Sequence, residues 1–404
     1  MIEQPATIAP IAEKRNIEDV IKPYKLLFHF EEEFRGTLDT AEISRVVNEL
    51  RDWTITDLTL EDPDFNADKL DTFMRNRDRF TLLFHGEIPF SIYDTILGIE
   101  DLNIPEDTFD RIIVDWRTAG SSMDIHFISK MNNLRYSAKI EGFDAQHFNS
   151  SLIQKGRGYG EYAEINYEEA PFIAVPVDPL EFVSTTYYQN EVSPSQFREA
   201  LFSDPNAVRN SQTGYNREEF KDDHALMTID TAKKTLTFVN PGAKSEEIVI
   251  PSELFLNTFD FINEHGGWTD EFRLMYVNPR SRYVKFQLFA HGLPVFSENT
   301  STNIEQVWGE DQIYQYMRPY YILDLIHPET ETKLLSSGVE VAEMLIESDT
   351  IDFSLIEEIA PGYFMNQGDI HNLFILEPSW FFMVNDTWIR FSPEKFGGEK
   401  VGLE

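Results

Sequence analysis

The chain has 404 residues, no cysteine, and 34 basic against 70 acidic side chains, a formal net charge of −36. The lack of cysteine excludes disulfide scaffolds, thiolate metal sites and cysteine nucleophiles. The acidic field repels phosphate backbones and anionic headgroups, so neither nucleic acid nor a lipid surface is an expected partner of the folded body.

Hydrophobic residues at 42% and aromatics at 13% suit well-filled cores, and the length suggests two or three domains. Residues 1–20 are polar, carry Pro5 and Pro10, and read as a linker. Residues 25–30 predict a strand. Asp39-x-x-Glu42 opens a helix in the manner of a capping box, with Ile43, Val46, Val47, Leu50 and Trp53 at helical spacing. Residues 54–60 and 80–84 predict strands, and 124–129 with 134–140 a hairpin around Met131-Asn132-Asn133. This is an α+β domain over residues 1–170.

Pro171, Pro176 and Pro179 mark a junction. In Ser193-Pro194-x-Gln196 the serine should cap a helix and the glutamine bond back to it. Residues 225–229 and 235–239 form a hairpin. Ser252 should cap a helix bearing Leu254, Phe255, Phe259 and Ile262, which Gly266-Gly267 stops. A middle α+β domain thus spans 171–268.

The rest, 269–404, reads as β-rich. Residues 272–277 and 283–289 pair across Asn278-Pro279-Arg280-Ser281. Residues 373–376, 380–384 and 387–391 form a meander, and a helix over 339–346 interrupts it. Local hairpins predict antiparallel sheets with flanking helices, the last sheet a partly open sheet or a barrel. The fold class is α+β, in three domains.

Chemistry-bearing motifs are sparse. Gly156-Arg157-Gly158-Tyr159-Gly160 lacks the helix that a phosphate-cradling loop requires and reads as a flexible loop. Asp222-Asp223-His224 and Asp369-Ile370-His371 each offer a carboxylate and an imidazole, but such close neighbours point apart on a strand. No Gly-x-Ser-x-Gly elbow occurs; Gly120-Ser121 lacks the closing glycine. No catalytic residue, metal ligand or cofactor is assigned. A carboxylate-based wall hydrolase stays open as an alternative, as does a small-ligand or peptide-binding protein.

The densest recognition chemistry lies at Trp308, Tyr314, Tyr316, Arg318 and Tyr321. Polar-tipped aromatics beside arginine suit a partner interface, and they equally suit a sheet core.

The same region carries a resemblance. Gly292-Leu293-Pro294-Val295-Phe296, Trp308-Gly309 and Ile313-Tyr314-Gln315-Tyr316-x-Arg318-Pro319-Tyr320 are similar to the YycH family, extracytoplasmic regulators of Gram-positive bacteria. So are Ile21-Lys22-Pro23-Tyr24 and Leu335-Ser336-Ser337-Gly338-Val339-Glu340. The resemblance implies a non-enzymatic, three-domain body outside the cell, tethered by one N-terminal transmembrane helix that precedes this sequence, with Met1 an added start. It also implies action with a related anchored partner, YycI, on the sensor histidine kinase WalK (YycG), largely through transmembrane helices.

Overall fold

The structure, a computed structural model, describes residues 12–61, 65–101, 103–117, 122–167, 170–328, 330–368 and 372–396. Pro5, Pro10, Gly120-Ser121 and Asp369-Ile370-His371 lie outside the described residues. The fold is α+β with antiparallel sheets, and neither sheet closes into a barrel.

Two compact units emerge. One joins Pro23–Ser184, Thr330–Phe364 and Glu377–Glu404; the other joins Met1–Lys22, Thr185–Glu329 and Met365–Leu376. The chain's last third divides between both units.

The unit beginning at Pro23 holds a nine-stranded sheet. Its order is Thr54–Leu60, Leu134–Glu141, Met123–Ser129, Thr108–Asp115, Arg79–Pro89, Lys25–His29, Phe34–Thr37, Gly160–Glu164 and Ala174–Pro176. The helix Thr40–Arg51 buries Ile43, Val46 and Leu50. Asp39 caps it, accepting from the amides of Ala41 at 2.8 Å and Glu42 at 3.3 Å. Glu42 does not complete the expected box; its carboxylate accepts from Arg45 and Tyr159 instead.

A second layer comes from the end of the chain. Before the helix Gly338–Ile346, Ser337 accepts from the Glu340 amide at 3.2 Å, while Glu340 accepts from the Ser337 amide at 3.0 Å. Here both halves of a capping box form. Gly338 must lack a side chain, since a Cβ there would stand 2.6 Å from Val175 Cβ. The close approach lets Val341, Ala342 and Leu345 join Val175, Phe353 and Trp380 in one apolar cluster.

A buried charge joins the two layers. Lys25 opens the strand Lys25–His29 and is 4% exposed. Its Nζ donates to Glu358 at 2.6 Å, on the strand Ile356–Gln367, and the Tyr24 hydroxyl donates to the same carboxylate oxygen. Lys130 Nζ meets the adjacent Glu357 at 2.9 Å.

In the other unit the sheet order is Arg209–Gly214, Arg217–Lys221, Leu226–Asp230, Thr235–Val239, Ile313–Pro319, Asn303–Trp308 and Tyr283–Ala290. Phe272–Asn278 pairs with Tyr283–Ala290 as expected. Two helices, Pro194–Leu201 and Pro251–Glu264, accompany it. Their caps differ from expectation. The Ser193 hydroxyl meets Ser195 at 2.8 Å rather than a backbone amide, and Ser252 is buried inside its helix behind Pro251. In both, proline at the first turn sets the start, because its missing N–H costs nothing there. Gly267, at φ +70°, ends the second helix; a Cβ there would lie 2.5 Å from the Ala12 carbonyl oxygen. Leu373–Val384 is one strand, not two, continuing through Pro378.

Truncating one side of the Lys25–Glu358 pair strands a buried charge, so Lys25→Met should cost about 3–5 kcal/mol. The double variant Lys25→Met/Glu358→Leu should recover much of that loss in denaturant melts. A single variant as stable as wild type would show that the pair contributes nothing.

Candidate functional site

The strand Ile313–Pro319 carries most of the aromatic segment singled out above. It is flanked by Thr235–Val239 on one side and Asn303–Trp308 on the other. A strand paired on both sides presents no edge, and its inward residues are core. Tyr316, Arg318 and Tyr321 are fully buried and Trp308 is 8% exposed; Tyr314 is half-buried. Four of the five candidates are therefore buried.

Their polar tips are all answered inside the unit. Arg318 Nη1 donates to the Gly267 carbonyl at 2.9 Å and to the Tyr316 hydroxyl at 3.0 Å. Its guanidinium lies 5.0 Å from the Phe197 ring centre. Trp308 Nε1 donates to Gln306 at 2.9 Å, and the Tyr321 hydroxyl to the Ser301 carbonyl at 2.8 Å. These bonds discharge the groups that made the segment look like a recognition surface.

Beside this core lies a cleft of about 1150 Å³. Its apolar side is built from Phe202, Phe238, Phe261, Trp308 and Ile313, and its polar rim includes Asp204, Arg209, Lys221, Asp223 and Asp311. Phe202 stands edge-on to Phe238 at 5.4 Å, and Phe261 edge-on to Trp308 at 5.8 Å. The volume suits a short peptide or a small ligand.

The other candidates resolve structurally. Asp222 accepts from the amides of His224 at 2.8 Å and Ala225 at 2.7 Å, so this carboxylate caps a turn. Among the described residues, no three His, Asp or Glu side chains gather as a metal ion requires. Gly156 sits in the helix Gln154–Arg157 rather than a loop, with the Phe28 ring 2.8 Å from where its Cβ would be.

One strongly perturbed carboxyl was not foreseen. Glu87 is 5% exposed, accepting from the Ser129 hydroxyl at 2.8 Å and the Met131 amide at 3.2 Å. Burial, reinforced by the charge of Asp110, raises its carboxyl to about 7. Asp115 goes the other way. Burial alone would raise it, but Arg117 and Arg79, the latter at 2.6 Å, hold it below the usual range. Neither group lines the cleft.

Two expectations follow. Trp308→Ala should lower stability by about 3–5 kcal/mol, and Arg318→Ala should also lower the Tm by orphaning the Gly267 carbonyl; an unchanged Tm in both would return these residues to a surface role. Glu87 has a folded pKa above its unfolded 4.5, so its contribution is intact below about 4.5 and lost as pH rises through about 7. Glu87→Gln should flatten that decline, and parallel stability profiles for variant and wild type across the window would refute the assignment.

The family model of the YycH protein N-terminal domain matches residues 6–149, and that of the YycH protein C-terminal domain matches 172–395. A Bacillus subtilis (strain 168) protein, named two-component system WalR/WalK regulatory protein YycH, is 21% identical over 335 residues, 81% of this chain and 73% of the relative. The crystal structure of YycH from Bacillus subtilis matches with a TM-score of 0.78 at 18% identity, over 95% of this chain and 99% of that one. At such identity the structural likeness speaks for the fold. With family models matching both ends and most of the sequence between, the chain belongs to the YycH family.

Proposed function

We propose that this chain is the soluble body of a regulator of a WalR/WalK-type two-component system, acting without catalysis on the outer face of the cell membrane. The observation that carries this reading is the pair of family matches at residues 6–149 and 172–395, joined to the regulatory name of the Bacillus subtilis relative. The buried charges support it: Lys25, Arg79 and Arg318 are each held by protein groups, as scaffold residues are.

In this proposal an N-terminal helix preceding the sequence tethers the body, and a related anchored protein of the YycI kind is its partner. Among the described residues, no helix is long and apolar enough to cross a membrane. The regulator shifts the kinase only by as much as its affinity differs between the kinase's two signalling states. The body's part is then to set the position of its anchor according to what it has bound. The three-domain division read from the sequence stays a proposal about how that body is organised in solution.

The test is made in the native host, measuring the phosphorylated fraction of the WalR-type response regulator on phosphate-affinity gels. Deleting the gene should change that fraction. A membrane-tethered copy should restore it, while the same chain exported untethered should not. An unchanged fraction after deletion would reject the regulatory reading, and full restoration by the untethered chain would reject the anchor.

A further inference from the structure

The cleft beside Trp308 has a shape and charge that nothing in the regulatory reading uses. Arg209, Asn210 and Ser211 all line it. They stand at the start of the strand Arg209–Gly214, and Glu219 and Lys221 of the strand paired with it line the cleft too. Arg209–Gly214 is the terminal strand of its sheet among the described strands, and all six of its residues are exposed. Its outer edge is thus an unpaired row of amides and carbonyls, the template to which an extended segment adds.

The electrostatics select the occupant. Asp204, Asp222, Asp223 and Asp311 face the cleft against Arg209 and Lys221, while Glu219 is already answered by Arg217 at 3.1 Å. The 14-residue helix Pro251–Glu264 also ends here, at Phe261 and His265, with no basic residue in its last turn. Its carbonyl end adds partial negative charge. His265 stacks on half-buried Phe261 at 4.1 Å and 13°, and both line the cleft.

We propose that this cleft takes an extended basic segment of a partner protein, added as a strand to the Arg209–Gly214 edge, with its Lys or Arg side chains meeting Asp223 and Asp311. A second copy of the chain is a poor occupant, because it brings another −36 charges. Acidic peptides are repelled for the same reason. The inference holds whether or not the chain regulates a kinase, and its test uses purified protein alone.

The probe is a labelled peptide alternating Lys and Val, read by fluorescence anisotropy, with a Glu–Val peptide as control. The Lys–Val peptide should bind and the Glu–Val peptide should not. Asp223→Lys/Asp311→Lys should weaken binding about tenfold or more. Glu31→Lys/Glu32→Lys makes the same change in net charge on an exposed bend of the other unit and should leave binding unaltered. Adjacent amides of a strand point in opposite directions, so either Asn210→Pro or Ser211→Pro removes an outward N–H; the variant that keeps the wild-type Tm should lose binding. If both prolines lower the Tm, the two charge reversals decide. Equal weakening by the Glu31/Glu32 variant assigns the binding to diffuse charge and overturns the proposal. So does equal binding of both peptides, or sedimentation showing self-association that Asp223→Lys/Asp311→Lys abolishes.

Discussion

A lysine inside an apolar strand organises one whole unit of this protein. Lys25 is followed by Leu26, Leu27 and Phe28, all buried, and is itself 4% exposed. A charge so placed is tolerated only with a partner, and the sequence places that partner, Glu358, 333 positions away. Burial pushes the Tyr24 hydroxyl well up, and Glu358 pushes it further, so the phenol stays a donor to the carboxylate. Burial works against the ionised Glu358 too, but the charge and hydrogen bond of Lys25 outweigh it and keep that carboxyl below its usual range. Such a pair adds little net stability against an apolar substitute, yet it penalises every arrangement that separates the two strands. Its worth is in specifying which strand docks where.

That specification is why the unit is discontinuous. Lys25 lies in the segment matched by the N-terminal family model and Glu358 in that matched by the C-terminal one. The apolar cluster around Val341 repeats the arrangement, drawing Ile165, Ile173 and Val175 from one side of the sequence and Trp380, Phe382 and Phe391 from the other. Reading along the chain for composition changes finds the prolines near 171, but it cannot find an ion pair that closes over more than three hundred residues.

The same physics decides how much of the fold was legible. The helix at Asp39 and the hairpin at Phe272 were readable because each carries its own periodicity and punctuation. The run from Leu335 to Glu340 carried only a resemblance, and its capping box and the press of Gly338 on Val175 appear only in the fold. Arg209–Gly214 was not legible at all, since Arg-Asn-Ser-Gln-Thr-Gly has no apolar residue to alternate with its polar ones. The aromatic segment was ambiguous for a related reason. Tyr, Trp and Arg serve equally at interfaces and in polar-lined cores, and only the neighbours of Ile313–Pro319 on both sides separate the two uses.

The contrast between these last two elements bears on where recognition resides. Arg318 donates to the Gly267 carbonyl and the Tyr316 hydroxyl, all inside the unit. The Arg209–Gly214 edge has spent its hydrogen bonds on one side only. In an acidic, cysteine-free scaffold whose buried cations are individually held, free hydrogen-bonding capacity and negative field coincide beside the cleft. A site of that kind rests on main-chain edges and carboxylates rather than on a motif. It therefore leaves almost no trace in a sequence, however plainly the fold itself is written there.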